Sequence, residues 1–310
     1  MPTAFYSHPA CKAHDMGRGH PECPARLDAI ADHLRATGLD DALVFEQAGP
    51  ATLAQMARAH EQRYLLQLQD VLSHLAEEGG HHAFDPDTSA CPATWDAVRH
   101  AAGAAVAATD AVIDGRADNA FCAVRPPGHH ATRDETMGFC FVNNVAVAAR
   151  HALDERGLSR VAIVDFDVHH GNGTEDIVAG DERILMVNLF QQALYPFSGE
   201  RPRAGNIVSI PVPAYTRGPE VRELVQATWL PRLHAFRPQM VFVSAGFDAH
   251  RDDDLGQLGL VEADYQWLTQ AIKEVADRHA GGRIVSCLEG GYAMGALARS
   301  VAAHLKVLSS

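Results

Sequence analysis

The chain has no Cys-x-x-Cys pair. Its six cysteines, Cys11, Cys23, Cys91, Cys122, Cys140 and Cys287, stand apart, and several lie in apolar runs. They read as reduced, mostly buried thiols of a cytoplasmic protein. No uninterrupted apolar run approaches the length needed to cross a bilayer. The opening Met1-Pro2-Thr3-Ala4-Phe5-Tyr6 lacks a basic region followed by an apolar stretch, so no secretion signal is expected. Positive charge is also scarce: 26 Lys and Arg face 39 Asp and Glu, a net charge of −13. That balance disfavours nucleic acid or an anionic membrane surface as partners, and most of the acidity serves solubility. There is no GxSxG nucleophile elbow and no GxxxxGK[ST] phosphate loop. Gly171-Asn172-Gly173 lacks the third glycine of a dinucleotide fingerprint. No internal repeat, low-complexity segment or interdomain linker is evident.

What remains is an ordinary globular composition over 310 residues, 47% apolar and 21% charged. It predicts one large α/β domain over residues 1–310. Short apolar runs at 120–124, 161–166, 184–189, 240–244 and 283–288 read as strands. Helical patterns fall at 25–36, 62–77, 92–114, 144–155, 219–235, 262–279 and 293–307. The alternation predicts a mostly parallel central sheet with helices on both faces, binding its ligand beyond the C-terminal ends of the strands. The first ninety or so residues are less regular. Their Gly-, Pro- and Asp-rich stretches at 17–24 and 79–87 read as loops on the rim over the sheet.

The chemistry gathers at strand ends. The run Val161-Ala162-Ile163-Val164-Asp165-Phe166-Asp167-Val168-His169-His170-Gly171-Asn172-Gly173-Thr174 begins as a buried strand and ends in carboxylates and imidazoles. On an extended strand Asp165, Asp167 and His169 share a face. Two of them can grip a divalent cation while the third orients a neighbour. Asp248, in Ser244-Ala245-Gly246-Phe247-Asp248-Ala249-His250-Arg251-Asp252-Asp253-Asp254-Leu255, follows another strand and completes a set of three with Asp167 and His169. Three ligands leave a position open for water and substrate, the mark of a catalytic zinc site. So oxygen-rich a set would also suit Fe²⁺ or Co²⁺. Asp252 to Asp254 read as a solvated loop or a helix start. Arg125-Pro126-Pro127-Gly128-His129-His130-Ala131 places two imidazoles after a strand, a candidate proton-transfer pair; alone they would read as surface histidines. Leu288-Glu289-Gly290-Gly291-Tyr292 offers close backbone approach and a phenol donor.

These motifs, taken in order with Gly138-Phe139-Cys140-Phe141-Val142-Asn143-Asn144, resemble the histone deacetylase family of metal-dependent amidohydrolases, over residues 5–305 or so. The ending Leu-Glu-Gly-Gly-Tyr and Asn172 in His-His-Gly-Asn-Gly-Thr resemble its class II members and their bacterial homologues. The resemblance implies the arginase–deacetylase α/β fold and Zn²⁺ on Asp167, His169 and Asp248. It implies His130 as general base, oriented by Asn172, and His129 as a second, largely electrostatic imidazole partnered by Asp165. Tyr292 would stabilise the tetrahedral oxyanion. Gly138, Phe139, Tyr195, Leu255, Gly290 and Gly291 would line the substrate tunnel, with Tyr195 where phenylalanine is usual. Arg26 would line an acetate exit, or else cap a helix. Backbone carbonyls of Asp165, Asp167, His169 and Leu189 would hold a structural K⁺.

The resemblance implies a deacetylase acting on acetyl-lysine in proteins or peptides, or on a similar small N-acyl amine. Leu255 stands at the gatekeeper position, where polyamine-preferring relatives often carry a glutamate, and Thr88-Ser89-Ala90-Cys91 offers no acidic anchor. An acetylpolyamine amidohydrolase is the first alternative. A binuclear-metal ureohydrolase and a non-catalytic acyl-lysine binder are the others.

Overall fold

The apolar runs become neighbouring strands of one sheet in the computed structural model, which describes residues 2–310. The strands are β1 (Thr3–Tyr6), β2 (Leu43–Glu46), β3 (His82–Ala83), β4 (Ser89–Ala90), β5 (Asn119–Cys122), β6 (Val161–Asp165), β7 (Ile184–Gln191), β8 (Ile207–Val212), β9 (Val241–Ala245) and β10 (Ile284–Leu288). The helices are α1 (Pro9–Ala13), α2 (Ala25–Thr37), α3 (Leu53–Met56), α4 (Gln62–Glu78), α5 (Thr94–Ile113), α6 (Asn144–Asp154), α7 (Asn172–Val178), α8 (Gly218–Phe236), α9 (Glu262–His279) and α10 (Met294–Leu308). A short 3₁₀ turn spans Leu39–Ala42. The main sheet has eight strands in the order β2-β1-β5-β10-β9-β6-β7-β8, and every pairing in it is parallel. This is the expected α/β class.

Every residue of β5, β6, β7, β9 and β10 is buried, as strands covered on both faces require. One helical layer consists of α5 and α6, with α1 and α4 packed on α5. The other joins α2, α10, α9 and α8. The Asn143 side chain caps α6 by accepting the Ala146 N–H at 3.0 Å, and its own amide reaches Thr174 Oγ1 at 3.0 Å. One residue thus starts a core helix and ties it to α7.

The amino-terminal region is more ordered than its composition predicts. It supplies β1 and β2 to the sheet, and the antiparallel β3–β4 ribbon stands where a loop was expected. A buried charge cluster locks this region to the tip of β5. Arg125 donates to the carbonyls of Cys11 and His14, both at 2.9 Å, and pairs with Glu22, which also meets Arg26. Burial alone would raise the Glu22 carboxyl; the Arg125 guanidinium reverses that and holds it at about 2.

Candidate active site

The four motif-bearing strands, β5, β10, β9 and β6, are consecutive in the sheet, so their C-terminal tips converge. The β6 tip departs from the extended geometry expected. The strand stops at Asp165, whose Oδ1 accepts the Asp167 N–H at 3.1 Å; Asp167 Oδ1 then accepts the His169 N–H at 2.9 Å. Two successive side-chain-to-backbone bonds bend the chain there. As a result Asp165 faces His129, while Asp167 and His169 face Asp248.

Asp167, His169 and Asp248 each offer a ligand atom, and these atoms lie within 4.8 Å of one another. Their second bonds orient them. Asp248 Oδ1 accepts the Val168 N–H, and Asp167 Oδ2 accepts the Gly290 N–H, each at 2.9 Å. A Cβ at Gly290 would overlap the Asp248 carboxylate, so only glycine permits this approach. Asp248 Oδ2 is buried and accepts no well-aligned hydrogen bond, although His169 Nδ1 lies 3.2 Å away. Burial and the neighbouring Asp167 push the Asp248 carboxyl up to about 6. Two carboxylates crowded in the interior, one oxygen left over, fit a divalent cation.

The two adjacent imidazoles lie 4.0 Å apart between ring centroids, and their environments differ. His129 Nδ1 donates to Asp165 Oδ2 at 3.1 Å. His130 Nδ1 donates to Asn172 Oδ1 at 2.7 Å, while the Asn172 amide nitrogen donates to Met137 Sδ at 3.3 Å. That amide orientation leaves the lone pair of His130 on Nε2. Burial would lower His129, but Asp167 and Asp165 overcome it and raise it to about 10. His130 is pushed well below its ordinary value, by burial first and then by His129 and His169. A charged imidazole thus sits beside a neutral one.

A cavity of about 340 Å³ opens from these histidines. Gly138, Phe139, Tyr195, Leu255 and Tyr292 line it, together with His130, His169, His20, Pro21, Pro86, Asp87 and Leu194. Phe139 takes a left-handed φ of 68°, and its N–H is held by Thr88 Oγ1 at 3.0 Å. Burial raises the Tyr292 phenol well above its ordinary value, against the opposing charge of Arg26, and keeps it a donor. Gly290 and Gly291, expected in the tunnel wall, are not among the lining residues; they pack behind it, against Asp167 and Asp248 and against Phe247 and Leu297. Arg26 is buried, donates to the carbonyls of Gly291 and Glu289, and lies 4.9 Å from the Tyr292 ring centroid. It bonds the Tyr292 loop rather than capping a helix. Of the four carbonyls expected to bind K⁺, those of Asp165 and Leu189 accept from the Asn188 amide, at 3.2 and 3.5 Å.

Three residues escaped sequence reasoning. Asp87 is an acidic residue of the cavity lining, next to the Thr88–Cys91 segment in which no acidic anchor was found. Glu289 is fully buried and accepts from Gly128 N–H, His129 N–H and Ser244 Oγ. Asp253, read as solvated, is only 5% exposed and bonds the Tyr292 loop. Asp252 and Asp254 are exposed, as a solvated loop requires.

Comparison with known proteins agrees with this geometry. A model of the histone deacetylase domain matches residues 20–308. A histone deacetylase-like amidohydrolase of Pseudomonas aeruginosa is 37% identical over 315 residues, covering 94% of this chain and 81% of its own length. The polyamine deacetylase HDAC10 of Mus musculus is 35% identical over 306 residues, which span 93% of this chain and 44% of that protein. The crystal structure of the HDA15 HD domain is similar at a TM-score of 0.92 and 32% identity, over 99% of this chain and 89% of that one. With the parallel sheet, the strand-tip motifs and a family match along nearly its whole length, the chain belongs to the histone deacetylase family.

Proposed function

We propose that the chain is a zinc-dependent amidohydrolase that removes acetyl and related acyl groups from acetyl-lysine or similar N-acyl alkylamines. One observation carries this reading. Two adjacent imidazoles, one held by the Asp165 carboxylate and the other by the Asn172 amide, face a three-ligand cluster at the end of an aromatic-walled cavity.

Zn²⁺ held by Asp167, His169 and Asp248 would polarise the amide carbonyl and lower the pKa of the attacking water. His130 Nε2 takes a proton from that water as its oxygen bonds to the carbonyl carbon, and the carbonyl π pair moves onto oxygen. Tyr292 donates its phenolic hydrogen to that oxyanion. His130 then hands its proton to the amide nitrogen as the C–N bond breaks, releasing the carboxylic acid and a free amine. His129, held by the Asp165 carboxylate, offers a second imidazole that stabilises negative charge developing on the reacting amide. Phe139 and Tyr195 flank the substrate's methylene chain. Asp165 spends its oxygens on His129 and the Asp167 amide, which favours one cation over a binuclear ureohydrolase centre. The intact His130 and Tyr292 favour turnover over mere acyl-lysine binding. A structural K⁺ would sit on the carbonyls of Asp165, Asp167, His169 and Leu189, each with a lone pair to spare beside any single hydrogen bond it accepts. A cytoplasmic location remains part of the proposal.

The acetylpolyamine reading gains support from Asp87, an acidic residue of the cavity lining whose charge would attract a second cationic nitrogen. Measuring kcat/KM of the zinc-reconstituted protein on an acetyl-lysine peptide and on N-acetylputrescine tests both readings. Preference for the peptide supports the acyl-lysine assignment with Leu255 as a neutral gatekeeper. Preference for the polyamine moves the assignment to the second reading. Turnover of neither, with zinc bound, overturns the amidohydrolase reading itself.

A further inference from the structure

Three consecutive aspartates follow the β9 strand, and only the middle one is buried. The Asp253 carboxylate bonds entirely to main-chain amides. Its Oδ2 accepts from Tyr292 at 2.6 Å and from Ala293 at 2.9 Å, and its Oδ1 accepts from Leu255 at 3.1 Å. Among the described residues no ion pair is formed by Asp253, so these three donors alone offset its burial.

The donors belong to two different walls of the cavity. Tyr292 and Leu255 both line it, yet they come from loops after β10 and β9. Tyr292 follows two glycines, the second at a φ of 118°, so little in its own segment fixes the backbone. Ala293 begins α10 with no side-chain cap of its own, and a carboxylate there also favours the helix N-terminus. Arg26 donates to the Gly291 carbonyl at 2.7 Å, the other end of the same Gly291–Tyr292 peptide whose N–H Asp253 accepts. Asp253 fixes its amide end, and through Ala293 it also holds the following peptide, which Arg26 does not reach.

We propose that Asp253 is a positioning residue for amide hydrolysis, a clamp that sets the backbones of Tyr292 and Leu255 against each other. The phenol then meets the oxyanion at a fixed place, and the tunnel wall keeps its spacing from it. This rests on the reading of Tyr292 as the oxyanion donor, so the test addresses both. Replacement by asparagine keeps the volume but turns one acceptor into a donor aimed at amide hydrogens.

The experiment is a double-mutant cycle on the zinc-loaded full chain, with kcat, KM, zinc content and melting temperature measured for wild type, Asp253→Asn, Tyr292→Phe and the double variant. Asp253→Asn is expected to lower kcat about 10–100-fold, the scale of a catalytic group misplaced by a fraction of an ångström to an ångström, with zinc content unchanged. In the Tyr292→Phe background the same change should lower kcat less than about twofold, because the group it positions is gone. Its KM effect, which runs through Leu255, should persist in both backgrounds. A kcat loss that multiplies fully onto Tyr292→Phe overturns the proposal, as does a KM unmoved in both. Full activity of Tyr292→Phe alone overturns the oxyanion reading instead. Asp253→Ser, smaller and retaining one acceptor, carries the same comparison if the asparagine variant does not fold.

Discussion

The carboxylate of Glu289 lies beneath His129 and accepts its main-chain N–H at 3.1 Å, along with that of Gly128 at 2.7 Å. The tip of β10 therefore holds the backbone from which both catalytic imidazoles are proposed to project. Burial pushes the Glu289 carboxyl up to about 7. Glu289→Gln replaces one acceptor oxygen with a donor facing these amides or Ser244. It is expected to cost about 1–3 kcal/mol of stability, the usual effect of leaving a buried polar group mismatched. It should also lower kcat more than it changes KM. Urea unfolding and steady-state kinetics on the same preparation check both effects; an unaltered unfolding midpoint would count against the support role.

Metal removal should separate two roles of the Asp167–Asp248 pair. Stripping the protein with a strong chelator is expected to abolish turnover, and one equivalent of Zn²⁺ per chain should restore it. Asp248→Asn should lose both zinc and activity. In the metal-free state, however, that variant should melt at or above the wild-type temperature, because it removes one of two crowded buried carboxylates. Calorimetry of the zinc-loaded wild type, the metal-free wild type and the metal-free variant checks this. A metal-free variant melting well below the metal-free wild type would show the pair is not in conflict.

Asp87 offers a test of charge at the cavity. Asp87→Asn is expected to reduce kcat/KM on N-acetylputrescine about 2–5-fold, the range of an exposed ion pair, and to leave a neutral acylated alkylamine nearly unchanged. Added salt should weaken the wild-type preference in the same direction. Equal losses on both substrates would assign Asp87 to the loop's structure instead.

His304 is buried between Thr269 Oγ1 and Ser286 Oγ, at 2.7 and 2.9 Å, and burial pulls it down to about 3. In the unfolded chain an imidazole takes up its proton near pH 6.5. Between those values the unfolded state binds the extra proton, so this group's contribution falls as the pH drops below about 6.5. His304→Gln should flatten the stability profile across that window, by about 1.4 kcal/mol per pH unit where the effect is fully developed. Denaturant midpoints at pH 7 and pH 5.5 for both proteins provide the comparison.

The sequence was most legible where apolar runs end in chemistry. β5, β6, β9 and β10 lie within a residue or two of where hydrophobicity placed them, because strands buried on both faces need continuous apolar runs. β2 buries one of its four residues, and β8 is an edge strand containing Pro211, so neither carries that signal. The bend after Asp165 was hidden for another reason: strand alternation and two side-chain-to-backbone bonds both suit Asp-x-Asp-x-His. Nothing local distinguishes Asp253 from Asp252 and Asp254. The difference lies in Tyr292 and Ala293, brought near only by the sheet. Asp87 likewise acquires its place from Phe139, whose amide is fixed by the adjacent Thr88.

The strand order has a consequence for biosynthesis. β10 is made after every other strand of the sheet, yet it lies between β5 and β9 in the middle of it. Before it is in place, β2-β1-β5 and β9-β6-β7-β8 share no strand pairing. A nascent chain can contain Asp167, His169, Asp248 and both central histidines while the two halves of its sheet remain unjoined. These long-range pairings raise the contact order and delay completion. Insertion of β10 brings Glu289 to the His129 amide and Gly290 against the carboxylates, so the candidate site is completed only as the sheet is sealed.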